Sequence, residues 1–200
     1  MANYRILRGD LAVSASVKFT DEDKLWLCRM IFGERGSAND LTAAKEYPAL
    51  LWAMVNRFLL HPRRDIWVAD PDNGYPTNFC RMLRAFSQPI NPRWMAGGDL
   101  AITHSMDEST SAARLARRAK ICKMSLESIP DGIQESVEDF CDGVLPVPVV
   151  VAAISRPRIS NWASYKNVEQ KFPGGVRIGG KYFFEDRNMT AGHVVVDYLG

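Results

Sequence analysis

The sequence predicts a mainly α chain, α+β in class, and three observations predict it. Apolar residues recur at helical intervals through residues 21–34, 41–60 and 109–141. Alternating apolar residues with Gly-Gly pairs are confined to one late stretch, 172–186, the pattern of a small β-hairpin. With 46% hydrophobic residues in 200, one domain can bury a sizeable core. The expected organisation is a single domain over 1–200: an N-terminal arm at 1–20, a core at 21–185 and a C-terminal tail at 186–200.

The arm, rich in small and β-branched residues, reads as irregular or short strand. Helical pattern begins after Thr20, which offers a cap followed by Asp21, Glu22 and Asp23, acids suited to the positive end of a helix dipole. Leu25, Trp26, Cys28, Ile31 and Phe32 follow at helical spacing, and Gly33 and Gly36 bracket the end. A second helix is expected over 41–60, capped by Asn39 or Asp40. It is nearly continuously apolar from Ala49 to Leu60, so it should be central. Pro48 should kink or split it. Prolines, glycines and aromatics then mark a structured loop from His61 to Gly98 around a short helix at 77–86. Helices are expected again at 109–126 and 132–141. Arg114, Arg117, Arg118 and Lys120 on the first of these read as a solvated face.

Several classes are excluded by composition. A net charge of +2, from 25 basic and 23 acidic residues, gives no field for nucleic acid. Cys28, Cys80, Cys122 and Cys141 form no CxxC pair and share no ligand spacing with His61, His104 or His193, so neither metal nor cofactor is expected. The cysteines read as buried free thiols. The apolar run from Val144 to Ile154 is broken by Pro146 and Pro148 and is too short to span a bilayer, so no membrane partner is expected. The first ten residues lack the apolar core of a secretory signal. The expectation is a chain made soluble in a cytoplasm and delivered by other means to any substrate outside.

Among candidate chemical groups, Glu34 stands out in Ile31-Phe32-Gly33-Glu34-Arg35-Gly36. It ends an apolar helix beside Trp and Phe residues. Apolar surroundings of this kind are what a general acid working near neutral pH needs. The competing reading is a helix-terminal Glu paired with Arg35 or Arg57.

The segment Leu27-Cys28-Arg29-Met30-Ile31-Phe32-Gly33-Glu34, followed by Leu51-Trp52-Ala53-Met54-Val55-Asn56-Arg57, resembles the SleB-like cell wall hydrolase family, which includes spore-cortex-lytic enzymes and phage proteins. Asn161-Trp162 and Val176-Arg177-Ile178-Gly179-Gly180-Lys181-Tyr182-Phe183 are similar to the family's closing elements, and the likeness spans roughly 25–185 with gaps. The stretch Phe86-Ser87-Gln88-Pro89-Ile90-Asn91-Pro92-Arg93-Trp94 looks like the substrate-groove loop of phage muralytic proteins. In place of the family's Gly-Ala-Thr-His-Tyr-like segment, this chain has the aliphatic stretch from Val149 to Arg156.

The resemblance implies a lysozyme- or lytic-transglycosylase-like helical domain that cleaves the β-1,4 bond between N-acetylmuramic acid and N-acetylglucosamine, with Glu34 catalytic. It implies that Ser87 and Gln88 bind N-acetyl groups, unless they only build the loop's own turn. Tyr182 would hydrogen-bond near Glu34, unless it is an ordinary core tyrosine, and Trp94 and Tyr75 would stack on sugars. Trp26, Trp52 and Trp162 are assigned to the core. Hydrolysis needs a second carboxylate about 5 Å away for retention or about 6.5–9.5 Å for inversion. Asp40, Glu46 and Asp72 are candidates, each also readable as a cap or surface acid. A lytic transglycosylase needs Glu34 alone, and this outcome is the expected one. The implied partners are peptidoglycan glycan strands and other virion proteins, with action in the periplasm or cell wall of an infected bacterium. The alternative is a non-catalytic structural virion protein that keeps the fold.

Overall fold

The structure, a computed structural model, describes residues 2–8, 11–17, 19–35, 40–60, 79–80, 82–83, 87–90, 112–142, 159–164, 167–185 and 194–198. Most of these residues are helical, and the strands among them form two small antiparallel sheets.

Helix α1 spans Asp21–Glu34. Its start is fixed reciprocally: the Asp23 N–H donates to Thr20 Oγ1 at 3.2 Å, and the Thr20 N–H donates to Asp23 Oδ2 at 2.8 Å. Asp23 is fully buried and also accepts from the Cys80 thiol at 2.9 Å, which ties the helix start to the helical residues 79–80. Leu27, Met30 and Ile31 face the core without exposure. The last turn closes with the Arg35 N–H on the Ile31 carbonyl, leaving Glu34 as the terminal helical residue.

Helix α2 spans Asp40–Leu60 with Pro48 inside it. The expected split at Pro48 does not occur. Proline removes one N–H, but Tyr47, Ala49, Leu50 and Leu51 around it are all buried, and packing on both sides holds the segment in one helix. Burial continues through Ala53, Met54, Val55, Asn56, Arg57 and Phe58, as a helix at the centre of a fold requires.

Helix α3 covers Ala112–Cys122 and ends before the expected 126, while residues 109–111 of the expected helix lie outside the described residues. Past its end the Arg29 guanidinium takes the Met124 carbonyl, at 2.9 and 2.7 Å, and the chain turns through a 3-10 segment at Leu126–Ser128. Helix α4 covers Asp131–Asp142 and buries Ile133, Val137, Phe140 and Cys141, one face at helical spacing. It packs on α1 and α2. Of the loop from 61 to 98, residues 79–80 and 82–83 are helical and Gln88–Ile90 forms a 3-10 turn; the rest of the expected helix at 77–86 lies outside the described residues.

Strand β3 (Ile159–Ala163), the short helix α5 (Val168–Lys171), strand β4 (Val176–Ile178) and strand β5 (Lys181–Glu185) follow. They give an antiparallel sheet in the order β3-β5-β4, with Trp162 opposite Phe183 and Ile178 opposite Lys181. The hairpin expected at 172–186 is therefore present, and β3 extends it. Gly179 sits at φ +60 in the turn, the left-handed region that glycine enters without a Cβ penalty. Successive strand residues face opposite ways. Phe183 thus joins the main core, while Tyr182 and Phe184 pack with Val168 in a smaller cluster.

The terminal segments form the other sheet. Strands β1 (Ala2–Arg8) and β2 (Leu11–Val17) make a hairpin, and β6 (Val194–Tyr198) pairs antiparallel with β1, Tyr4 opposite Tyr198. Arm and tail, read separately from sequence, meet in one sheet. Among the described residues no helix is long and apolar enough to cross a membrane.

Candidate functional site around Glu34

Helix α1 delivers Glu34 to the edge of the core, where its side chain keeps 16% of its surface. Strand β3 brings Trp162 to it, and the indole Nε1–H donates to Glu34 Oε2 at 3.1 Å. Strand β5 brings Lys181, whose Nζ lies 3.5 Å from the same Oε2. Lys181 is itself buried, with 9% of its side chain accessible. Both donors converge on one oxygen, and Oε1 has no partner among the described residues. Among the described residues the carboxyl group is anchored through Oε2 alone.

A further layer holds the anchors. The Arg57 guanidinium, near the end of α2, stands 5.5 Å over the Trp162 ring, a cation–π arrangement. Trp162 also packs on Phe183 with ring centroids 6.5 Å apart. The pairing of Glu34 with Arg35 or Arg57 is therefore not what the fold builds. Arg57 supports the tryptophan, and Lys181 takes the carboxylate.

The Gly179–Gly180 turn before Lys181 is held by Glu46 of α2. Its Oε1 accepts the Gly180 N–H at 2.6 Å, and Glu46 is buried with 4% exposure. A Cβ on Gly179 would stand 2.5 Å from that oxygen, so glycine is what lets the carboxylate close on the turn. Glu46 is neither a helix cap nor a surface acid.

The Ser87–Ile90 stretch lies against Gly33 of α1. A Cβ at Gly33 would fall 2.2 Å from Pro89 Cβ, so this loop and the residue before Glu34 are in direct apposition. The Ser87 N–H donates to Leu83 O at 2.9 Å and its carbonyl accepts from Ile90 at 3.2 Å, so the backbone builds the loop's own turn. The Ser87 hydroxyl is buried without a hydrogen-bond partner among the described residues.

Tyr182 is not beside Glu34's oxygens. Its hydroxyl donates to the Phe172 carbonyl and accepts from the Gly175 N–H, both at 2.9 Å, and so fastens the base of its own hairpin. The reason is strand alternation: Lys181 and Phe183 face the core and Tyr182 faces away. The Gln88 side chain, Trp94, Tyr75 and Asp72 lie outside the described residues, as does the Asp40 side chain.

Two participants carry no site role in the sequence: Lys181, and Trp162, which its apolar setting assigns to the core; Glu46 is one of the three candidate second carboxylates. Lys181 was legible in principle, because a lone lysine opening an apolar strand Lys-Tyr-Phe-Phe needs a buried anion. Among the described residues no three His, Cys, Asp or Glu side chains gather as metal ligands. No family model, curated protein or solved structure matches this chain.

Proposed function

We propose that this chain cleaves the β-1,4 bond between N-acetylmuramic acid and N-acetylglucosamine in peptidoglycan, with Glu34 as the acid/base residue. The observation that carries the reading is convergence. The end of α1, Arg57 of α2, Trp162 and the Gly179–Lys181 turn are far apart in sequence, yet all meet at or around one carboxyl group. These are the segments in which the resemblance to SleB-like cell wall hydrolases lies. The mainly helical core with a three-stranded sheet against α2 is compatible with a lysozyme-like or lytic-transglycosylase-like arrangement.

The chemistry follows from the geometry of one carboxyl group. Two donors on Oε2 fix the orientation of Glu34 and leave Oε1 to carry a proton toward the glycosidic oxygen. Breaking the C1–O bond leaves an oxocarbenium-like sugar and an ionised Glu34. Acting alone, that carboxylate withdraws the proton of the muramoyl 6-hydroxyl, which closes a 1,6-anhydro ring, the lytic transglycosylase outcome. A water activated by a second carboxylate gives a reducing end instead. Partners in this reading are glycan strands and, for a phage-encoded enzyme, other virion proteins, with the reaction taking place in the cell wall.

Zymography on purified cell wall with wild type and Glu34→Gln tests the assignment. Clearing by wild type alone is expected, and equal clearing by both proteins would remove Glu34 from the chemistry. A second reading, a virion protein that keeps the fold without activity, draws on the separate sheet built by the two terminal segments. Clearing by neither protein, both being folded, would favour it.

A further inference from the structure

Glu46 is the group that the single-carboxylate scheme leaves unused. It is 4% exposed and, among the described residues, makes no ion pair and is bound through Oε1, by the Gly180 N–H at 2.6 Å. Its Oε2 has no hydrogen-bond partner among the described residues. A buried carboxylate that is not part of a structural ion pair is costly to keep, and such groups concentrate where chemistry is done. Its location gives that general rule a specific object. The residue after Gly180 is Lys181, the lysine that reaches Glu34. One tight turn therefore organises two glutamates from two different helices. Gly179, at φ +60, has no side chain to obstruct the approach of Glu46.

We propose that Glu46 is the second carboxylate of the site, the base that activates water, so that cleavage ends in hydrolysis rather than in an anhydro ring. The proposal rests on the reading of Glu34 as the acid. In the step itself, the Glu34 carboxyl proton passes to the glycosidic oxygen and the C1–O bond breaks. A water oxygen bonds to C1, and one of its protons passes to Glu46 Oε2. One water is consumed, and the two carboxyl groups regain their starting protonation by exchange with solvent. Inverting glycosidases place such a pair on the order of 6.5–9.5 Å apart to leave room for the water.

Digestion of purified peptidoglycan by the wild-type chain in ¹⁸O-water, read by mass spectrometry, separates the outcomes. Reducing muramic ends carrying ¹⁸O are expected. Products ending only in 1,6-anhydromuramic acid would overturn the role of Glu46 while leaving Glu34 as the cleaving acid. Absence of any cleavage would overturn both. Glu46→Gln provides the second measurement, because its amide oxygen still accepts the Gly180 N–H and preserves the turn. Its hydrolytic rate should fall about 10²–10⁴-fold with the melting temperature little changed. A rate within a few-fold of wild type would overturn the proposal. If Glu46→Gln melts early, the isotope result on the wild type decides alone.

Discussion

One indole hydrogen joins strand β3 to helix α1: Trp162 Nε1 lies 3.1 Å from Glu34 Oε2, and the ring is gripped by Phe183 and Arg57. Replacing Trp162 by Phe keeps an aromatic body in that slot and deletes the donor. A hydrogen bond to a charged group is worth about 1.5–3 kcal/mol. Cell-wall cleavage by Trp162→Phe should therefore fall by about one to two orders of magnitude, with thermal unfolding shifted only slightly. Turbidity loss of a cell-wall suspension, with a melting curve on the same preparation, checks both parts. An unchanged rate would mean that the indole only packs. At this scale the sequence was informative about Glu34 and less so about its neighbours. A tryptophan in an apolar stretch reads as core because its body is apolar, and its one polar atom leaves no mark on hydrophobic periodicity. Tyr182 and Lys181 are adjacent, so the choice between them depends on which face of β5 meets α1. That phase is set by the pairing of Trp162 with Phe183, not by the local sequence.

Helix α1 was legible down to its cap, because Thr20 with its following acids and the spacing of Leu25, Trp26, Cys28, Ile31 and Phe32 are local signals, although the fully buried Leu27 and Met30 are not among those positions. Helix α2 was legible as central, and of the two outcomes expected at Pro48, a kink or a split, the split does not occur. The cost of one missing N–H is local, whereas the burial that offsets it comes from α1, α4 and β3. The apposition of Gly33 and Pro89 was not legible either, since nothing in Ser87-Gln88-Pro89-Ile90 names the helix it touches. It yields a prediction about the element. Gly33→Ala would force a methyl into Pro89 and lift the 3-10 turn away from the end of α1. Overpacking of this kind costs about 1–3 kcal/mol. The urea midpoint should drop accordingly, and activity should drop with it, since Glu34 is the next residue. An unperturbed midpoint would show that the loop does not rest on α1 as described.

Across the whole molecule the helical core collects α1, α2, α4 and Phe183 around buried cysteines. Burial pushes the Cys28 thiol up from its ordinary 9.0 to about 12, reinforced by the negative charge of Glu138. Burial does the same for Cys141, also to about 12, against the opposing charge of Lys24. Unfolded thiols give up their protons above pH 9, while the native pair holds them until about pH 12. The unfolded state therefore binds fewer protons in that window, and stability falls as pH rises through it. Below pH 9 this contribution is constant. Urea midpoints measured at intervals above pH 9 should decline less steeply in a Cys28→Ala/Cys141→Ala double variant, although its starting midpoint is lower. Parallel declines would contradict the buried state of these thiols. The sheet of β1, β2 and β6 belongs to this scale as well. The pairing of Tyr4 with Tyr198 joins the two ends of the chain, and a sequence read in local windows carries no signal for so remote a contact.

The convergence of these elements on a single carboxyl group has its most direct test in the Glu34→Gln variant, assayed on purified peptidoglycan beside wild type of equal melting temperature. Release of muropeptides by the wild type, with loss of at least about 10²-fold in the variant, is the predicted result. Equal release by the two proteins would contradict the central claim that Glu34 performs the cleavage.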